Sequence, residues 1–280
     1  MFLQPTSLAE ALSALAKHGG VLLAGGTDLY PAWVDKSPPA SVIDLAAVRE
    51  LRGIHVGDEE IRIGGGTSWS EIARADLPPA FTALKAAARE VGSVQIQNAG
   101  TIAGNLCNAS PAADGVPPLL ALEAEVELAS IAGKRRLPLA AFITGNRRTE
   151  RRPEEILTAI VVRRRHESSR SAFLKLGARS YLVISIVMVA ANLNRGTKGR
   201  IIHARVAVGA ASAVALRLEA LERKLETAPA SVRASSLVTA EDLVRLTPID
   251  DVRATVDYRR DAALTLVRRA LDAADGAARA

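Results

Sequence analysis

The segment that most constrains the fold is Val21-Leu22-Leu23-Ala24-Gly25-Gly26-Thr27-Asp28, an apolar run of strand length that passes directly into two glycines. Glycine lets a backbone come close to a ligand, and successive N–H groups in such a turn form a nest for an anion. The flanking sequence supports a strand buried behind that turn. Ser7 and Glu10 have capping-box spacing, Leu8, Leu12 and Leu15 share one helical face, and Gly19-Gly20 stops the helix. After a proline-containing loop, Val42-Ile43-Asp44-Leu45 reads as a second strand, so a small α/β lobe closes near residue 52.

A second lobe follows. Ile54-His55-Val56 and Glu60-Ile61-Arg62-Ile63 flank Gly57-Asp58-Glu59, which predicts a hairpin. Ser68 and Glu71 fit another capping box, and Phe81, Leu84, Ala88 and Val91 form a core-facing stripe at helical spacing. The stretch 98–114 is rich in Gly, Asn, Ser and Ala with little periodicity, and is predicted to be loop-like and close-packed. It holds the second glycine segment, Thr101-Ile102-Ala103-Gly104-Asn105. Thr27 and Thr101 add hydroxyls and Asn105 an amide, so two nests could grip a diphosphate from both sides. Neither segment reads G-x-G-x-x-G, and neither carries the G-K-[ST] of a P-loop. Each taken alone is no more than a common structural turn. Residues 116–122 read as a short helix, and 126–130 and 156–163 as strands. From Ser171 onward three antiparallel strands are predicted, over 172–177, 183–190 and 201–210, with turn chemistry at Asn194-Arg195-Gly196. Helices over 216–225 and 255–271 then complete an α+β arrangement.

Composition narrows the chemistry. Hydrophobic residues make up 49% and aromatics 3%, so the core is aliphatic and offers few platforms for stacking nucleobases. The net charge of +6 raises nucleic-acid binding as a class, but 36 basic residues are interspersed with 30 acidic ones. The densest basic runs, Arg147-Arg148 with Arg151-Arg152 and Arg163-Arg164-Arg165, read as solvated surface, with docking of an acidic partner the alternative. One cysteine, Cys107, excludes an internal disulfide and a cysteine-ligated cluster held by this chain alone. Cys107 itself reads as a small buried hydrophobe. The histidines at 18, 55, 166 and 203 lack metal-ligand spacing. The residues from Met1 to Pro5 show no signal-peptide pattern, and the longest apolar run, 181–193, is interrupted by Ser185 and Asn192 and is too short to span a membrane. A cytoplasmic location without a membrane span is the expectation.

Ala24-Gly25-Gly26-Thr27-Asp28-Leu29 resembles the first FAD-binding loop of the flavoprotein (medium) subunits of molybdenum hydroxylases, the family of xanthine dehydrogenase and carbon monoxide dehydrogenase. Thr101-Ile102-Ala103-Gly104-Asn105-Leu106, continuing through Ser110-Pro111 to Asp114, resembles the second. Phe173-Leu174-Lys175-Leu176-Gly177-Ala178-Arg179 is similar to the motif opening the family's C-terminal domain, and Arg253-Ala254 with Asp257-Tyr258-Arg259-Arg260 to its last helix. The matches run in order from Leu3 to Leu271.

The resemblance implies a two-lobed, vanillyl-alcohol-oxidase-like FAD domain over 1–170, with lobes at about 1–52 and 53–170, and a C-terminal domain over 171–280 made of a three-stranded antiparallel sheet with helices. Leu22, Leu23, Ala24, Gly25, Gly26, Thr27, Asp28 and Leu29, with Thr101, Ile102, Ala103, Gly104 and Asn105, would clasp the FAD diphosphate and ribityl chain. Asp114 would accept hydrogen bonds from flavin-nucleotide hydroxyls, or else cap the helix that follows. Lys175 would offset cofactor charge, or else be an exposed strand residue. Val91 and Leu157 would supply apolar contact, or else be plain core. No nucleophile, triad or metal site is expected in this chain, because FAD supplies the redox chemistry. Molybdopterin and iron–sulfur (2Fe–2S) clusters are expected in a large and a small partner subunit, in a dimer of heterotrimers, with NAD or another acceptor taking the electrons. Two positions depart from the family pattern. Ala103 stands where a glycine is usual, and Ser180-Tyr181-Leu182-Val183 precedes Ile184-Ser185 where a polar or acidic residue is common. A stand-alone FAD oxidoreductase and a basic nucleic-acid-binding module are the competing classes.

Overall fold

The computed structural model describes residues 1–34 and 37–276. The last four residues of the predicted C-terminal domain, the end of its Ala-rich tail, lie outside the described residues, as does the side chain of His166.

The first lobe runs β1 (Phe2–Leu3), α1 (Leu8–His18), β2 (Val21–Leu23) and β3 (Val42–Asp44), a parallel sheet in the order β1-β3-β2. Ser7 caps α1 by accepting from the Glu10 N–H, as predicted. The return bonds to Glu10 Oε2 come from the N–H and hydroxyl of Thr6, at 2.8 and 3.0 Å, one residue earlier than the motif implies. Gly20 (φ +112) ends the turn where a side chain would strike Ser41. The lobe's core is Ala11, Leu15, Ile43, Val48 and Leu51, closed by Ile156 from the second lobe. That contact docks the first lobe on the second, and the docking forms a cleft.

The second lobe contains β4 (Ile54–Val56), β5 (Glu60–Gly64), α2 (Trp69–Arg74), α3 (Thr82–Glu90), α4 (Val94–Ala99), α5 (Ile102–Asn108), α6 (Val116–Ala121), β6 (Glu125–Ser130), β7 (Gly133–Pro138), α7 (Leu139–Phe142), β8 (Ile143–Gly145), β9 (Arg148–Thr149) and β10 (Ile156–Arg163). Its antiparallel sheet has the order β4-β5-β10-β6-β7, with β8 and β9 as a separate small hairpin. The predicted β4–β5 hairpin and the Ser68–Glu71 capping box both form. Phe81, Leu84 and Ala88 are buried, and α3 ends before Val91, which turns extended and half-buried. The stretch 98–114 is not all loop. Thr101 accepts from the Gly104 N–H at 3.1 Å and starts helix α5.

The C-terminal layer is β11 (Arg170–Leu176), β12 (Val187–Arg195), β13 (Ile201–Gly209), β14 (Leu216–Arg217), α8 (Glu219–Thr227) and α9 (Val256–Asp275). The sheet has four strands, β11-β12-β13-β14, not three: residues 216–217, predicted as the start of a helix, pair with β13. The central strand begins at Val187 rather than 183 and runs through Asn194 and Arg195, so the turn lies at 196–200. The continuous apolar run of β12 is explained by burial on both faces. Val187, Val189, Ala191 and Leu193 meet α8 and α9, while Met188 and Ala190 meet Ala83, Ala87 and Ala121 of the second lobe. Among the described residues, no helix is long and apolar enough to cross a membrane.

Candidate functional site: the cleft between the lobes

The two glycine segments meet at the cleft. A Cβ on Gly25 would sit 1.8 Å from the Ala99 carbonyl oxygen and 2.9 Å from Gly100 Cα, so the first loop packs backbone against backbone on the end of α4. Gly26 has φ +69, a region that favours glycine, and its carbonyl accepts from Tyr30 N–H at 3.0 Å. Beside this contact, Leu22, Ala24, Gly25, Gly26, Thr27, Asp28 and Leu29 line one cavity of about 360 Å³ together with Val91, Thr101, Gly104 and Asn105. Ala24, Gly25, Thr101, Ala103 and Leu157 line an adjoining one of about 270 Å³. A third, of about 630 Å³, shares Leu22, Ala24, Ala103, Gly104 and Leu157. The shared walls make an extended groove suited to a long dinucleotide.

The two segments contribute differently. The N–H groups of Gly25, Gly26, Thr27 and Asp28 meet no acceptor among the described residues, as an anion nest requires. The second segment is already satisfied. Ile102 N–H donates to Thr67 O and Ala103 N–H to Gly65 O, both at 3.0 Å, and Gly104 N–H goes to Thr101. The expectation of two facing nests is thus corrected: only the first is open. What the second offers is space and one polar atom. A Cβ on Gly104 would meet nothing but Thr101 Oγ1, at 3.0 Å, and Asn105 Oδ1 is buried without a partner. The Ala103 methyl does not turn away, since it packs on Gly65 and lines the groove. Leu23 and Ile102 are buried, at 3% and 0% exposure, and do not line the groove.

Asp114 and Lys175 lie apart from these cavities and pair with each other. Lys175 Nζ donates to Asp114 Oδ2 at 2.7 Å and to the Glu90 carbonyl at 3.2 Å, and Ser185 Oγ donates to Asp114 Oδ1 at 2.6 Å. The side chains of Lys175 and Asp114 are 7% and 8% exposed, so Lys175 is no surface strand residue. Asp114 is no helix cap either, because Gly115 holds that position without a side-chain bond. Burial pushes the Asp114 carboxyl above its ordinary range, while the Lys175 ammonium and the Ser185 hydroxyl pull it back down. The indole of Trp69 stands between Gly115 and the first cavity. In the departing segment 180–183, Leu182 adopts φ +52, its carbonyl accepts from Arg179 at 2.6 Å, and Tyr181 is exposed.

Sequence reasoning missed Trp69, Ile96, Asn108 and Arg147, which line the first cavity, and Ser185. Cys107 also borders the groove, and burial pushes its thiol up to about 11. The donor set fits FAD. It supplies an open nest, a glycine-walled space, an unpartnered amide oxygen, apolar flanks and no resident carboxylate other than that of the exposed Asp28 in the first cavity.

Comparison with known proteins agrees with this geometry. Residues 1–163 match the family described as the FAD binding domain in molybdopterin dehydrogenase, and residues 172–274 match the CO dehydrogenase flavoprotein C-terminal domain. The chain is 38% identical over 194 residues to the nicotinate dehydrogenase FAD-subunit of Eubacterium barkeri, covering 66% of each. It is 29% identical to the putative xanthine dehydrogenase FAD-binding subunit of Escherichia coli, covering 97% of this chain and 94% of that one. Among solved structures it is similar to the carbon monoxide dehydrogenase of Hydrogenophaga pseudoflava, with 28% identity and a TM-score of 0.88 over 98% of this chain and 96% of that one. Two family models that together span nearly the whole chain, over a groove built for a dinucleotide, show that this protein belongs to the FAD-binding medium subunits of the xanthine dehydrogenase and carbon monoxide dehydrogenase family of molybdenum hydroxylases.

Proposed function

We propose that this chain is the electron-transfer subunit of a heteromeric molybdopterin-dependent dehydrogenase. It holds FAD along the interlobe groove, takes electrons from iron–sulfur clusters in a small partner subunit and delivers them to NAD or another acceptor. When bound, FAD supplies the one- and two-electron chemistry, and the protein binds, orients and shields it. The observation that carries the reading is the run of unpaired N–H groups from Gly25 to Asp28, facing a glycine-walled space across the same cavity.

Each residue then has a task. Gly25, Gly26, Thr27 and Asp28 donate backbone N–H groups to the diphosphate. Thr101 and Asn105 position the chain between diphosphate and flavin, and Gly104 keeps that space open. Ala24, Leu29 and Val91 exclude water along one flank, and Leu22, Ala103 and Leu157 along the other. Leu23 and Ile102 act from behind, as core residues that fix the two segments. Lys175 and Asp114 act as a pair: Asp114 uses its remaining acceptor sites for cofactor hydroxyls, and Lys175 with Ser185 holds that carboxyl in place. The assembly is a dimer of heterotrimers in the cytoplasm, with a large subunit carrying the molybdenum cofactor, and with domain limits at 1–170 and 171–280.

The test is the visible spectrum of the purified chain, followed by acid release and chromatography of its cofactor. Yellow protein releasing FAD at a ratio near one supports the reading. A colourless chain that FAD cannot reconstitute, alone or with its co-expressed partners, refutes it. Co-purification of iron and molybdenum with the co-expressed subunits tests the partners.

A further inference from the structure

The third cavity of the groove is lined by Ala24, Ala103 and Gly104 of the two glycine segments, and by a wall made of the β8–β9 hairpin and the segment after it. That wall carries Arg147, Arg148 and Arg151, with the hydroxyls of Thr144 and Thr149. No aspartate or glutamate lines this cavity; the exposed Asp28 lines only the adjoining one. The three guanidinium groups have no carboxylate partner among the described residues. Arg147 donates to the Asn108 amide oxygen at 2.6 Å, and one nitrogen of Arg151 donates to the carbonyls of Arg152, Pro153 and Glu155. Arg148 is exposed and forms no ion pair among the described residues. Among the described residues, Arg52, Arg89, Arg179 and Arg268 likewise bond only carbonyl oxygens, while other arginines are neutralised. Arg164 pairs with Glu167, Arg135 with Glu155 and Arg136 with Glu60 and Glu127.

Three uncompensated cations around one concave space raise the local concentration of anions and favour a group with several oxygen acceptors. The hairpin is also held in place. Arg147 has φ +55, and its N–H donates to the carbonyl of Ala109 (φ +47) at 2.9 Å, which ties the turn to the end of α5. The side chains are therefore presented to the groove from a fixed backbone.

We propose that Arg147, Arg148 and Arg151 form an anion-binding wall for the phosphate-bearing half of the dinucleotide, with Arg147 shared between this cavity and the adjoining one that holds the open nest at Gly25–Asp28. The chemical class of the ligand is an adenosine diphosphate moiety, held by charge and by backbone N–H groups. This inference rests on the FAD reading and deepens it. The wall gives the groove its ionic-strength dependence and orients the cofactor with its phosphates toward β8–β9 and its flavin toward Val91.

The test uses the full chain freed of flavin. Titrations measure FAD by fluorescence quenching, and ADP by competition, at low and at moderate salt. Arg148→Gln and Arg147→Gln are each expected to weaken FAD binding about 10- to 100-fold and to flatten its salt dependence. ADP competition should weaken in parallel, while binding of riboflavin, which has no phosphate, should not change. Arg147→Lys keeps the charge and should recover most of the affinity. Unchanged circular dichroism and melting temperature separate a binding effect from unfolding. Wild type that binds FAD tightly, with variants within twofold of it and an equal salt slope, overturns the arginine wall and leaves the cofactor reading standing. Wild type that binds neither FAD nor ADP overturns both.

Discussion

Gly104→Val separates the groove from the fold. Gly104 is the third residue of α5, its N–H is capped by Thr101, and a Cβ there meets only the Thr101 hydroxyl, at 3.0 Å. Replacing glycine in a helix gains about 0.3–0.5 kcal/mol for valine. Crowding the cap costs up to about 1 kcal/mol. The net change in folding stability is therefore within about 1 kcal/mol, so the flavin-free protein should melt within a few degrees of wild type. The two methyls, however, enter the space proposed for the cofactor. Forcing extra methylenes into an occupied site costs about 1–3 kcal/mol, or a 5- to 150-fold rise in the dissociation constant for FAD. The assay is the flavin-to-protein ratio after desalting, together with a quenching titration of the flavin-free chain. A Gly104→Val protein that folds, keeps one FAD per chain and binds it with unchanged affinity would refute the placement of the cofactor against α5. A mutant that does not fold would refute the geometry from which the small folding cost was worked.

Gly25→Ala should behave oppositely. Its Cβ would lie 1.8 Å from the Ala99 carbonyl oxygen, so the lobes must separate, and the melting temperature of the flavin-free chain should fall measurably. Lys175→Met strands the buried Asp114 and should destabilise by about 3–5 kcal/mol in urea unfolding; adding Asp114→Asn should recover most of that loss, and no recovery would mean that the pair is not coupled. Acid stability should depend on Asp251, whose carboxyl is held well below its ordinary value of 3.8 chiefly by Arg253, and also by Arg259. A depressed carboxylate stabilises the fold above the unfolded value and loses that contribution as pH falls. Asp251→Asn should therefore lower the melting temperature near neutral pH and flatten its decline in acid. Cys107, half-buried on the groove wall with its thiol pushed up to about 11, should label slowly with thiol reagents at pH 8; immediate stoichiometric labelling would contradict the raised thiol.

Helix α1, strands β2 and β3, the β4–β5 hairpin, the α3 stripe and the glycine loop were legible because each is specified by local pattern, whereas β1 was not, since it exists only against β3. The misreadings share a different cause. Helix α5 hides in Gly, Asn and Ser because its start depends on Thr101 bonding to a glycine, not on a glutamate three residues on, and because Ile102 and Ala103 bond backward to Thr67 and Gly65. β7 is an edge strand of mostly charged and polar residues, Gly133–Pro138, without clean alternation, and its pairing with β6 comes from the neighbour and not from its own pattern. β14 is two residues long and exists only against β13. Arg147 and Arg148 are exposed, in keeping with the reading of solvated surface, but nothing local says that a hairpin sets them with Arg151 along a cavity. Lys175 and Asp114 are 61 residues apart, a distance over which no periodicity reports.

That last pair also ties the C-terminal layer to the second lobe. Asp114 in the second lobe is gripped by two side chains of the C-terminal layer, Lys175 on β11 and Ser185 just before β12. The backbone there is held in turn. Arg253 donates to the Ser185 carbonyl and Arg259 to that of Ile186, at 2.6 Å, and both arginines are fixed by Asp251 ahead of α9. Arg259 is only 1% exposed, so its charge is tolerable only because Asp251 and the carbonyls of Ile186 and Ala210 surround it. A continuous run of charge-assisted bonds therefore links the start of the last helix to a buried carboxylate in the second lobe. Because each partner leaves another buried group unsatisfied when it is removed, the run behaves as a unit and not as a sum of contacts. The C-terminal layer is thereby a structural condition for the orientation of Asp114, and damage to Asp251 should reach Asp114 through Ser185 without touching either glycine loop.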